Sequence, residues 1–79
     1  MEIKVLGTGC AKCKTLEKIT RETVAEIGID ADIQKVEDIL KIMQFGVMST
    51  PALVINEKVV FSGRLPSGAE LKEIILKNQ

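Results

Sequence analysis

Gly7-Thr8-Gly9-Cys10-Ala11-Lys12-Cys13-Lys14 is the stretch on which the reading of this chain turns. An apolar segment, Ile3 to Leu6, runs into it, and a long amphipathic pattern leaves it. Two cysteines separated by two residues, where a strand gives way to a helix, form a candidate dithiol–disulfide pair. Three readings stand side by side: a cycling redox site, half of a metal site, or two cysteines packed at a helix start. The first has the firmest physical footing. The attacking species in thiol exchange is a thiolate, and a helix N-terminus offers it unpaired backbone donors and a positive dipole end. Cys10 is placed there as the attacking thiolate, with Cys13 one turn on as the more buried resolving thiol. Lys12 and Lys14 add positive charge nearby. Gly7 and Gly9 allow a sharp turn that keeps bulky groups away from a partner.

Outward from this stretch the chain alternates strand and helix signals. Residues 2–6 alternate charged and apolar side chains and end at Gly7, which predicts a strand. From Ala11 to Ile27 the period changes: Leu16, Ile19, Thr20, Thr23, Val24 and Ile27 share one helical face, and Gly28 is placed to end the helix. Ile29 to Val36 reads as a second strand. Asp38 is a cap for a brief helix to Gln44, expected to pack through Ile39, Leu40, Ile42 and Met43, with Gly46 as its stop. Pro51 to Ile55 is a third strand with proline at its first residue, where a missing N–H is tolerable. Asn56-Glu57 turns it into Lys58 to Phe61, although Glu57 does not suit the second position of a primed turn. Ser67 and Glu70 form a capping-box signature for a last helix to about Lys77, with Ala69, Leu71, Ile74 and Ile75 as its apolar face. The order is β-α-β-α-β-β-α, an α/β fold with a four-stranded mixed sheet flanked by helices.

Bulk properties set limits on function. A chain of 79 residues is expected to form one domain, residues 1–79, near the lower size at which a single core suffices. With two phenylalanines and no Trp or Tyr, that core must be built from Ile, Val and Leu. The 11 basic and 11 acidic residues cancel, which argues against general attraction to nucleic acid. The N-terminus shows no basic flank or long apolar run, and no apolar stretch approaches a membrane span. A cytoplasmic monomer is expected. In a reducing compartment a permanent bridge is unusual, so the close cysteines point to a cycling disulfide. With no histidine, Cys/His nucleophile arrangements are absent.

A second motif narrows the reading. Cys10-Ala11-Lys12-Cys13 together with Ser49-Thr50-Pro51 resembles the thioredoxin superfamily, most closely its small, glutaredoxin-sized, redox-active disulfide proteins of archaea and bacteria. The resemblance spans nearly the whole chain. It implies a thiol–disulfide oxidoreductase that needs no bound cofactor, since the two sulfurs hold the two electrons. It also implies a cis Thr50–Pro51 bond beside the disulfide, with Thr50 offering backbone hydrogen bonds to a substrate strand. The partners implied are protein disulfides and a thioredoxin-reductase-like or low-molecular-weight thiol reductant.

Around the pair, Gly9, Lys12, Thr50 and Pro51 are the expected supporting residues, and Met48, Thr50 and Gly63 the expected substrate contacts. Met43 and Phe45 read as core, and Arg64 as a free surface residue. The sequence also departs from thioredoxins. Gly9 stands where they commonly carry Trp, Ala11-Lys12 replace their Gly-Pro, and an N-terminal strand and helix are missing. Strand one carries Val5 and Leu6, with no counterpart to their buried aspartate, and the glutaredoxin aromatic is absent too. The rival reading is a soft-metal module that binds or delivers Cu(I) or Zn²⁺ through the same cysteines. Two thiolates are too few for a closed zinc site in one chain. Such a carrier would also run β-α-β-β-α-β and end in a strand, where this sequence carries the signature of a capped helix.

Overall fold

In a computed structural model describing residues 1–79, the elements are β1 (Glu2–Leu6), α1 (Ala11–Ile27), β2 (Asp32–Val36), α2 (Ile39–Gln44), β3 (Ala52–Ile55), β4 (Lys58–Ser62) and α3 (Gly68–Lys77). The sheet order is β2-β1-β3-β4. β1 pairs in parallel with β2 and antiparallel with β3, and β3 pairs antiparallel with β4, so the sheet is mixed as expected.

Two apolar clusters occupy opposite faces of that sheet, as alternation along a strand requires. One joins Ile3, Val5, Leu53 and Ile55 to Leu16 and Val24 of α1 and to Leu71 and Ile75 of α3. The other, smaller one gathers Leu6, Ala52 and Val54 with Ile42 and Val47. Every residue of β3 is buried, and β1 and β3 form the interior of the sheet. The strand that leads into the cysteines is thus held on both edges and packed on both faces.

Helix α1 keeps its predicted bounds because signals at both ends agree with its periodicity. Cys10 caps the start, and Gly28 closes it in a left-handed conformation with its N–H donated to the Val24 carbonyl at 3.0 Å. Helix α3 starts at Ser67, whose hydroxyl accepts from the Glu70 N–H at 3.2 Å. The Glu70 carboxylate turns instead to Arg64, at 2.6 Å, so Arg64 is paired rather than free. Ala69 is exposed, and α3 packs through Leu71 and Ile75 with Ile74 half-buried.

The main corrections lie in β2 and α2. Strand β2 starts at Asp32 rather than Ile29, because Asp32 is the first residue with a partner on β1, Glu2. Ile29 and Ala31 still pack on the larger core, but from the connection. In α2 only Ile42 is buried, while Ile39, Leu40 and Met43 are 57%, 67% and 62% exposed. A helix of six residues lies along the sheet on one narrow face, so apolar side chains around its circumference cannot all be covered. Met43 is therefore not core, and Phe45 is half-buried at the helix end. At the hairpin both Asn56 and Glu57 have positive φ, 50° and 69°. The unfavourable Glu57 conformation is accompanied by a 2.9 Å ion pair with Lys4 across the sheet.

Candidate active site

The cysteine turn stands at the C-terminal end of β1. Its backbone is anchored by the Gly7 N–H, which donates to the Val36 carbonyl at 3.0 Å and extends the parallel β1–β2 ladder past the strand end. Cys10 and Cys13 are joined in a disulfide, with Cα atoms 5.0 Å apart. Cys10 is exposed, while Cys13 is only 4% exposed. Their environments differ in kind as well as degree.

Cys10 is the N-cap of α1, and its sulfur accepts a hydrogen bond from the Cys13 N–H at 3.1 Å. A side-chain atom that caps a helix receives an otherwise unpaired donor and sits at the positive end of the dipole. Such donors and dipoles stabilise a thiolate, the attacking species in thiol exchange. Cys13 lies under the turn against Gly7. A Cβ on residue 7 would come within 2.8 Å of the Cys13 Cβ and closer still to its sulfur. Gly7 is thus the surface on which the buried sulfur rests, a contact that the turn-forming role read from sequence does not include.

The second motif reaches the loop that precedes the cysteines, since Thr50 and Thr8 line one groove. The Thr50–Pro51 bond is cis and Pro51 is buried. The Gly63 N–H donates to the Pro51 carbonyl at 2.9 Å, and a side chain on Gly63 would meet the Ser49 Cβ at 3.0 Å. With φ at +76°, residue 63 favours glycine on conformational grounds too. Neither the N–H nor the C=O of Thr50 has a hydrogen-bond partner within the chain. Lys12 is exposed on the first turn of α1, and Met48 is 98% exposed.

Beside the turn runs an apolar groove of about 360 Å³, bounded by Thr8, Ile39, Met43, Val47, Met48 and Thr50. Here two of the uncovered side chains of α2, Ile39 and Met43, acquire a place: they form one wall of a depression that reaches the disulfide loop. Thr8 had no role of its own in the sequence reading, and Ile39 was expected to pack inward rather than to line a groove. Glu37 was missed as well, although it lies just past β2 with a carboxylate oxygen 3.5 Å from where a Gly9 side chain would begin. The signal for it is positional. A parallel strand next to β1 must deliver its following residue to the cysteine loop.

No group of three or more His, Cys, Asp or Glu side chains comes together in a way that could hold a metal. The chain ends in helix α3 rather than in the strand expected of the metal-carrier reading. That alternative finds no support. No helix is long and apolar enough to cross a membrane.

Comparison with known proteins agrees with the geometry. The family model described as a thioredoxin domain matches residues 1–76. A protein named thioredoxin from Methanothermobacter thermautotrophicus is 40% identical over 75 residues, spanning 95% of this chain and 97% of that relative. Another of that name from Methanocaldococcus jannaschii is 41% identical over 71 residues, 90% of this chain and 81% of its own length. A probable thioredoxin from Archaeoglobus fulgidus is 32% identical over 71 residues, covering 86% and 77% respectively. With an exposed cysteine capping a helix, its buried partner bonded to it and this likeness from end to end, the chain belongs to the thioredoxin family of protein-disulfide oxidoreductases.

Proposed function

We propose that the protein reduces protein disulfides with Cys10 as nucleophile and Cys13 as resolving thiol, acting as one domain over residues 1–79 and as a cytoplasmic monomer. The observation that carries this reading is the asymmetry of the pair: Cys10 is exposed and its sulfur accepts the Cys13 N–H at 3.1 Å, while Cys13 is buried. In the forward direction the Cys10 thiolate attacks one sulfur of a target disulfide. One mixed disulfide forms, and the target's other sulfur leaves as a thiolate that takes up a proton. Cys13 then loses its proton and attacks the Cys10 sulfur, which releases the second target thiol and closes the Cys10–Cys13 bond. The target gains two electrons, and the pair loses two. A reductase or a low-molecular-weight thiol restores the dithiol, with no bound cofactor.

Substrate contacts are assigned to Met48, Thr50 and Gly63. The unpaired N–H and C=O of Thr50 support pairing with an extended strand, and Gly63 leaves room beside Ser49 for that strand to approach. Gly9 and Lys12 support the turn, and Pro51 fixes the neighbouring loop.

The test is trapping. Reduced Cys13→Ser protein mixed with a disulfide-bonded protein such as insulin should accumulate a mixed disulfide through Cys10, and Cys10→Ser should accumulate none. Mass spectrometry that places the adduct on Cys13 in wild-type protein would reverse the roles. An absence of adducts in every variant would remove the function.

A further inference from the structure

Glu37 brings an unpaired negative charge to the cysteine turn. The Gly7–Val36 hydrogen bond fixes the end of β2 against the turn, so the main chain of the next residue is held there. From the 3.5 Å approach of its Oε2 to the Gly9 side-chain position, the carboxylate lies within about 9 Å of the Cys10 Cα, allowing for one Cα–Cα step. Its neighbours are otherwise engaged. Asp38 caps α2 through the Leu40 N–H at 3.0 Å, and Lys35 pairs with Glu17 at 3.6 Å. Glu37 makes neither a hydrogen bond nor an ion pair, and it is exposed.

We propose that Glu37 is a specificity-determining residue of the exchange reaction: its carboxylate favours disulfides with positive charge beside the target sulfur and disfavours anionic ones. The proposal rests on the oxidoreductase reading above and adds the charge class of the preferred substrate. A unit charge on an arriving disulfide would pass within several ångströms of the carboxylate at the moment of attack. At that range, in a mostly aqueous environment, the interaction changes a rate by about two- to threefold per charge. Between a cationic and an anionic disulfide the two effects multiply. Lys12 and Lys14 on α1 and Lys41 on α2 add a positive background that is the same in wild type and variants. The Glu37 contribution is therefore read as a difference.

The experiment measures pre-steady-state oxidation of the reduced protein by cystamine (dicationic), 2-hydroxyethyl disulfide (neutral) and dithiodiglycolate (dianionic). The readout is the cystamine-to-dithiodiglycolate rate ratio, in which any change in the thiolate population of Cys10 cancels. In E37Q at low salt this ratio should fall about three- to tenfold. E37D, which keeps the charge, should stay near wild type, and E37K should fall further than E37Q. In ~1 M salt the difference between wild type and E37Q should collapse, because the screening length shortens to about 3 Å. A ratio that moves less than about twofold in E37Q, or moves equally at both salt concentrations, overturns the proposal alone. If the wild type exchanges with none of the three disulfides but does reduce insulin, this proposal alone falls; if it exchanges with neither, the oxidoreductase reading falls and this proposal falls with it.

Discussion

Replacing Gly7 by alanine adds one methyl group directly against the side chain of Cys13. The new Cβ would stand 2.8 Å from the Cys13 Cβ and closer to its sulfur, inside normal van der Waals separation. Cys13 cannot move aside easily. It is 4% exposed, and it belongs to the first turn of a 17-residue helix whose Leu16, Thr20 and Val24 are packed on the sheet. Gly7 is not among the glycines with positive φ, so alanine has no backbone objection there and even gains about 0.4–1 kcal/mol from a less flexible unfolded chain. Overpacking costs about 1–3 kcal/mol. The two ranges combine to a net loss centred at ~1.3 kcal/mol, which lowers Tm by roughly 5–10 °C in a domain of this size. Thermal unfolding of both redox forms tests the cause. In the oxidised protein the disulfide holds the Cys13 side chain in place, whereas in the dithiol it can rotate, so the oxidised form should lose more. Cys13→Ala removes the closest contact and should shrink the Gly7→Ala penalty. An unchanged or raised Tm in oxidised Gly7→Ala would refute the packing argument.

Two further outcomes follow from surface features. Hydrogen bonds from Arg64 and Lys4 hold the Glu70 and Glu57 carboxyls below their ordinary range. A carboxyl whose folded value is depressed stabilises the fold above its unfolded value and loses that contribution as the pH falls through the folded one. Urea midpoints should therefore decline as the pH drops below about 4.3, and more shallowly in Glu57→Gln/Glu70→Gln protein. At Met43, 62% exposed on the groove wall, serine should leave stability within about 0.5 kcal/mol of wild type. The same change should slow reduction of a protein disulfide several-fold relative to a small one, as paired single-turnover assays would show.

Strand and helix order, the long helix and the cysteine turn could all be read from sequence because several local signals agree there. Helix α1 has a cap, a stop and a clear period over residues 11–27. α2 was harder. Ile39, Leu40, Ile42 and Met43 are all apolar, and hydrophobicity does not say which one faces the sheet when the helix is only six residues long. Ile29 and Ala31 continue the period of β2, but pairing with β1 decides where that strand begins. Val60 has no partner across the β3–β4 ladder, where the register shifts between Leu53 and Val54, and no residue type announces the irregularity. Glu37 and the Gly7–Cys13 contact were invisible for a related reason. Both depend on which strand lies beside β1, information carried by the assembled sheet rather than by neighbours in the chain.

The disulfide loop is thus flanked by supports of unequal strength. On one side it grows from a strand with neighbours on both edges and leads into a well-packed helix; on the other stands α2, held by Ile42 alone among its own residues. Local opening is cheapest where few apolar contacts must break. α2 should then exchange its amide hydrogens with solvent long before β1 does. Such a division of labour would keep the reacting sulfurs in register while letting the adjoining surface yield to the contour of a docked target. One reactive centre can in this way accommodate targets of different shape without any change in its chemistry.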